Sequence, residues 1–115
     1  MVKQVNISFS TTRGYLRIAL PKVINTKNYL QIRNRIEARL EKKADKVLLD
    51  LSNITILESL LIGLLLHTRR IVKDNNGLIY LVNVSKTCSA RLHALFLDTI
   101  FTIYENEKQV FSRKD

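Results

Sequence analysis

The chain has 115 residues, with 19 Lys+Arg against 10 Asp+Glu, a formal net charge of +9 and 46% hydrophobic residues. That length suits one domain with enough apolar material for a core, and 3 Gly with 1 Pro exclude collagen-like, linker and low-complexity classes. The lone cysteine, Cys88, cannot close an internal disulfide or supply a Cys-based zinc set, which excludes a secreted disulfide scaffold and suits a reducing compartment.

The N-terminal residues Met1-Val2-Lys3-Gln4-Val5-Asn6-Ile7-Ser8 contain no apolar run of the length a signal peptide needs. The longest strongly apolar stretch, Leu60 to Leu66, covers 7 residues and stops at His67 and Arg69-Arg70. A membrane-spanning helix needs about 20, so a soluble cytoplasmic protein without membrane insertion is expected. Residues 1–57 carry 11 basic and 4 acidic side chains, whereas residues 58–115 carry 8 and 6. The positive field therefore belongs mainly to the first half, and it favours nucleic acid, anionic lipid or an acidic protein, or simply keeps the domain soluble.

In chain order, Val5, Ile7 and Phe9 alternate with polar residues, as do Leu16, Ile18 and Leu20 with Tyr15, Arg17 and Ala19. Both runs have the period of two of strands with one wet face, and Thr11-Thr12-Arg13-Gly14 between them predicts a hairpin over residues 4–20. Pro21 ends the second strand. Asn25 or Thr26 then caps a helix whose inward residues are Tyr29 or Leu30, Ile36 and Leu40. Its other face carries Lys27, Arg33, Arg35, Arg39, Lys42 and Lys43, with Glu37 and Glu41 in partial compensation.

The run Val47 to Leu51 reads as a strand covered on both faces. After a connection from Ser52 to Glu58, a second helix runs from Ser59 to Lys73 with Leu60, Leu61, Leu64, Leu65, Ile71 and Val72 as its apolar residues. Asn75-Asn76-Gly77 stops it, because Asn and Gly accept the left-handed conformation. Leu78 to Val82 is a further buried strand, Ser85 caps a third helix over 86–95 using Cys88, Leu92 and Leu95, and Ile100 to Tyr104 gives a last strand. Glu105 to Phe111 supplies a terminal helical turn or two. The order β-β-α-β-α-β-α-β-α predicts an α/β domain over residues 1–115, with its core over about 4–111 and a mixed, mainly parallel sheet extended by the hairpin.

Catalytic chemistry finds no support: no GxSxG elbow, P-loop or GxGxxG turn is present. His67 and His93 have no thiol or carboxylate at metal-ligand spacing, so no metal, no cofactor and no enzymatic activity is expected. Cys88 lies on the inward side of its helix and reads as a packing residue. The informative segment is Ile54 to Gly63, which puts Glu58 and Ser59 at the carboxyl end of a strand and at a helix N-terminus, where α/β sheets place ligand and partner sites. Ser59 is there either a plain helix cap or a modification site. A phosphate on it would meet the positive end of the helix dipole and free backbone N–H groups, and would project an anion into any docked partner.

Three segments carry a resemblance: Val47-Leu48-Leu49-Asp50-Leu51-Ser52, then Ile56-Leu57-Glu58-Ser59-Leu60-Leu61-Ile62-Gly63-Leu64-Leu65-Leu66, then Leu78-Ile79-Tyr80-Leu81-Val82-Asn83-Val84-Ser85. Together with the tail from Leu95 to Glu107, they resemble the STAS domain, in particular the anti-sigma-factor antagonists of bacterial partner-switching systems. In that family the loop before the second helix typically reads Asp-Ser-Ser/Thr-Gly-Leu-Gly, and its first serine is phosphorylated by an anti-sigma factor that is also a kinase. Glu58 matches the Asp, Ser59 the phosphorylated serine, Ile62 the Leu and Gly63 the final Gly. Leu60 and Leu61 depart from the Ser/Thr and the Gly, Leu61 adding bulk where a kinase loop would approach, and Phe96 stands where the family often has Gly, a packing change.

The resemblance implies a non-enzymatic regulatory module that binds an anti-sigma factor with serine kinase activity, is released by phosphorylation at Ser59 and is restored by a phosphatase. The implied docking surface is Glu58, Ser59, Leu61, Ile62 and Leu66, the three apolar residues serving either a partner or burial against the first helix. A monomer or weak dimer is expected. One alternative within the fold is a constitutive STAS subunit of a transporter or signalling scaffold. Another class is a nucleic-acid binder using Arg33, Arg35, Arg39, Lys42 and Lys43, against which stands the lack of a clear stacking aromatic cluster.

Overall fold

The computed structural model describes residues 7–40 and 45–113. Val5, Glu41, Lys42 and Lys43, named above for the first strand and the first helix, lie outside the described residues. The elements follow in the order β1 (Ser8–Thr12), β2 (Tyr15–Ala19), α1 (Tyr29–Leu40), β3 (Lys46–Asp50), α2 (Ser59–Asp74), β4 (Leu78–Val82), α3 (Lys86–Ala94), a 3₁₀ turn (Leu97–Thr99), β5 (Thr102–Ile103) and α4 (Glu107–Ser112). The α/β class and the element order read from the sequence are those of the structure.

The five strands lie side by side in chain order, β1 antiparallel to β2 and every later pair parallel. A sheet that grows in one direction through right-handed crossovers puts every crossover helix on the same face. Accordingly Ile32, Ile36 and Leu40 of α1, Leu61, Leu64, Leu65 and Val72 of α2, and Cys88 and Leu92 of α3 share one core with Ile18, Val47, Leu49, Ile79 and Leu81 of the sheet. The strand residues of opposite parity, Tyr15, Leu48, Tyr80 and Val82, form a second cluster closed by Val110 of α4. β3 lies between the two, which explains its unbroken apolar run: Val47, Leu48 and Leu49 are all fully buried.

Several local expectations change. The wet face expected for the second strand is covered at Tyr15 by α4, whose Glu107 accepts from both the Nε and the Nη2 of Arg17. In α1 the inward residue sequence analysis passed over is Ile32, while Leu30 is 61% exposed, because the helix begins at Tyr29 after a turn in which the Asn25 side chain accepts from the Lys27 and Asn28 amides. Leu95 is C-terminal to α3 and largely exposed rather than one of its core residues. The hairpin turn is the two-residue Arg13-Gly14, both at positive φ (50° and 82°), with Thr12 paired to Tyr15.

Helix α2 ends with Asn76, not Gly77, in the left-handed region (φ 62°); the Asn76 and Gly77 amides donate back to Lys73 and Val72 carbonyls. Gly77 answers a different need, since a Cβ there would stand 2.3 Å from the Asp45 carbonyl oxygen. Helix α3 ends the same way on Phe96 at φ 61°, its amide donating to the His93 carbonyl. The residue is 75% exposed, so the exchange of Gly for Phe96 is a change of backbone strain rather than of packing.

Between α1 and α2, Glu37 accepts from the His67 Nε2 at 2.6 Å and from the Arg33 Nε at 3.1 Å. Arg33 Nε also lies 3.1 Å from the same ring nitrogen. One nitrogen cannot donate to Glu37 and accept from Arg33, and the shorter contact assigns it as the donor. The hydrogen bond from His67, then that from Arg33, hold the Glu37 carboxyl below its usual 4.5.

Two outcomes follow from these contacts. Phe96→Gly removes the left-handed penalty and little burial, so urea unfolding should show a gain of about 1 kcal/mol, or roughly 4 °C in thermal midpoint. For Glu37 the folded pKa is lowered, so its contribution is complete above about pH 4.5 and is lost as the pH falls through the lowered value. Glu37→Gln should flatten that acid loss in a series of urea midpoints, by a modest amount because the pair is 40% exposed on the Glu37 side.

Candidate functional site

The segment that leaves β3 is shaped by three buried anchors, Leu51, Ile54 and Leu57. Its backbone is tied to the sheet by the Leu51 amide on the Val82 carbonyl and by Asp50, whose Oδ1 accepts from the Ser52 amide and from the Asn83 side chain, each at 2.9 Å. Cys88 at the start of α3 packs beneath it, its thiol 3.8 Å from the Ile54 carbonyl oxygen. With every third residue pinned inward, the residues between must face out. Ile56 is 67% exposed, and Thr55, Glu58 and Ser59 are exposed beside it.

Glu58, not Ser59, holds the N-cap position of α2, with extended φ −95° and ψ 167°, and makes no side-chain cap bond. Its carbonyl accepts from the Ile62 amide at 3.0 Å, which makes Ser59 the first helical residue. The cap role is thus removed from Ser59. Amides of the first turn have no intrahelical acceptor, and no acidic side chain stands in that turn. An exposed hydroxyl placed there sits in the positive end of the helix field.

Helical spacing sets Ser59, Ile62 and Leu66 on one side of α2. Ile62 is half-buried against the core edge and Leu66 is 38% exposed. Leu61 is not part of this surface. It is 3% exposed, pointing into the core with Leu64 and Leu65, so it neither offers contact area nor obstructs an approach to Ser59. Gly63, one turn after Ser59, is partly buried beside α1, and a Cβ there would make only an ordinary contact, 3.8 Å from the Tyr29 hydroxyl.

Two grooves flank Ile56. One, of about 580 Å³, runs between the Ile56–Leu60 segment and Thr87 and Arg91 of α3; the other, of about 310 Å³, lies against Lys22, Val23 and Ile24. Val23 is 57% exposed. Ile56, Val23 and Arg91 were not singled out from sequence. The signal for Ile56 lay in Ile54-Thr55-Ile56-Leu57, where a loop this short cannot turn three apolar side chains inward.

The described basic side chains of α1 have neighbours within the chain. Arg33 is engaged with Glu37, Arg35 lies over the Phe9 ring at 5.7 Å, and Arg39 is partly buried. Among the described residues no helix is long and apolar enough to cross a membrane, and no three His, Cys, Asp or Glu side chains gather as a metal site.

The family model described as the STAS domain matches residues 6–110. No curated protein gives a significant match. Among solved structures, the chain is similar to an anti-sigma-factor antagonist (STAS) domain protein from Planctomyces limnophilus, at 22% identity and a TM-score of 0.79, covering 90% of this chain and 93% of that one. An anti-sigma factor antagonist from Mycobacterium paratuberculosis gives 16% identity and a TM-score of 0.79 over 95% and 92% of the two chains. The Bacillus cell fate determinant SpoIIAA in its phosphorylated form gives 20% identity and 0.69 over 93% and 97%. Because that family model covers nearly the whole chain, residues 6–110, the chain belongs to the STAS domain family.

Proposed function

We propose that this STAS domain is a regulatory module, without catalytic activity of its own, that docks an anti-sigma factor with serine kinase activity and is switched off by phosphorylation of Ser59. The observation that carries the reading is the exposed, non-capping hydroxyl of Ser59 at the uncapped start of α2, next to the projecting side chain of Ile56. Docking uses Glu58, Ser59, Ile62 and Leu66, with Ile56 added. An apolar contact of this kind is disrupted by a group carrying about −1.5 to −2 charge at its centre. The same charge is stabilised locally by the free amides of the first turn, so phosphorylation blocks the partner without unfolding the domain. The structure of SpoIIAA in its phosphorylated form gives the fold a phosphorylated example. A phosphatase restores the binding state, and the module acts in the cytoplasm.

Binding to the purified kinase-type anti-sigma factor tests this. Ser59→Asp should weaken the complex by about tenfold or more, close to 1.4 kcal/mol, and Ser59→Ala should leave it within about twofold. Equal affinities for the two variants would sink the switch. Gly63→Ala separates stability from docking: the helix interior gains about 0.5–1 kcal/mol in urea unfolding. The added methyl, one turn from Ser59 and next to Ile62, should at the same time lower partner affinity by a few-fold.

A further inference from the structure

The turn that follows α3 carries an aromatic ring out into solvent. Phe96 is 75% exposed, and Leu95 and Ile100 of the same turn are 39% and 41% exposed. The turn is closed by its own chain: the Thr99 Oγ1 donates to the Phe96 carbonyl at 2.6 Å, and the Ile100 amide to the Leu97 carbonyl at 3.2 Å. Arg69 of α2 reaches it from the side, its Nε donating to the Ile100 carbonyl at 3.2 Å. Helical spacing puts the exposed Lys73 one turn beyond Arg69. Of the two acidic side chains close by in sequence, Asp98 is held by the His93 Nδ1 at 2.6 Å and Asp74 lies 3.9 Å from Arg70.

Phe96 bears the left-handed strain at φ 61° without gaining burial. A ring in that position weakens the fold and adds apolar surface to water, so what it gains lies outside the chain. Even a fully covered Phe buries only about 150–250 Å². With the exposed parts of Leu95 and Ile100 added, the tip stays well below the roughly 800 Å² per side of a stable protein–protein interface. A second copy or a folded partner would need a larger footprint than this turn provides. A fluid lipid surface needs no matching shape, because a few apolar side chains enter the headgroup region while neighbouring cations keep their charged ends among the lipid phosphates. Arg69 and Lys73 stand beside the tip, in a chain of net charge +9. Each such cation near an anionic leaflet adds attraction that neutral lipid does not supply.

We infer that this tip rests on an anionic membrane surface, with Phe96, Leu95 and Ile100 entering the headgroup region and Arg69 and Lys73 meeting the lipid phosphates. The contact asks for no helix that crosses the bilayer, and among the described residues none is long and apolar enough to do so. It uses the end of α3 and the second half of α2 rather than the start of α2, so it stands or falls independently of the docking proposed above.

The test takes the full chain and vesicles of phosphatidylcholine, alone or with about one third phosphatidylglycerol, at about physiological ionic strength. The wild type should sediment with the mixed vesicles and not with phosphatidylcholine alone. Phe96→Asn puts a residue suited to left-handed backbone in the turn. It should weaken binding about tenfold while its urea midpoint is unchanged or higher, and Lys73→Gln should weaken binding about fivefold. The chain has no Trp, so Phe96→Trp supplies a lone reporter whose emission should move to the blue on the mixed vesicles. No sedimentation of the wild type with the mixed vesicles overturns the inference. Equal binding by the wild type and Phe96→Asn does so too, because net charge alone would then hold the chain. A blue shift that grows with protein concentration in the absence of lipid also overturns it, and marks the tip as a contact between copies.

Discussion

The burial of β3 on both faces is the constraint from which the rest of the molecule follows. Val47 and Leu49 face the three crossover helices, while Leu48 faces Tyr15, Tyr80 and Val110. A strand in that position cannot shift register by one residue without exchanging the two clusters. Its carboxyl end is therefore placed to within the tolerance of a packed core, and the loop that presents Ile56, Glu58 and Ser59 starts from that fixed point. Asp50 then secures the loop by bonding Ser52 and Asn83 at once, so the candidate switch is attached to the most rigid part of the sheet rather than to a free loop.

A second regularity concerns where the chain takes left-handed backbone. Arg13, Asn76, Asn83 and Phe96 are non-glycine residues at φ between 50° and 62°. Asn is suited to this conformation through its short polar side chain, and both asparagines lie at junctions between elements. Arg13 and Phe96 are not suited to it. Each places a large side chain, one charged and one aromatic, at an exposed tip of the molecule where a small residue would be less strained.

Element order and fold class were legible because the two periodicities are clean: alternation in the hairpin, continuous apolar runs in β3 and β4, and helical spacing between them. The seam of α2 was read correctly at Leu64, Leu65 and Val72, but not at Thr68, whose hydroxyl is satisfied inside the helix by the Leu64 carbonyl at 2.8 Å and so can be buried. Of the alternatives Tyr29 and Leu30 it is Tyr29 that packs on the core, and Leu95 falls one residue past the end of α3, because helix boundaries are the least sharply encoded feature of a sequence. The identity of the cap at α2 was hidden for the same reason. The second aromatic cluster could not be read at all, since Tyr15, Tyr80, Tyr104 and Phe111 come from four separated segments and meet only through the strand register. Glu58, Ser59, Ile62 and Leu66 all keep some exposure at the start and along one side of α2, whereas Leu61 is buried, and which of these holds depends on how the helix rolls onto the sheet.

Helix α4 has six residues, far fewer than an isolated helix needs to persist in water. It exists because Val110 and Phe111 dock on the second face of the sheet and Glu107 is tied to Arg17. This makes the C-terminal segment a separate unit of stability, able to open while the three-helix side stays folded. Opening would remove Val110 and Phe111 together and wet Leu48 and Tyr80 in the same event. Amide exchange in α4 should then be governed by a low local free energy and in β3 by the global one.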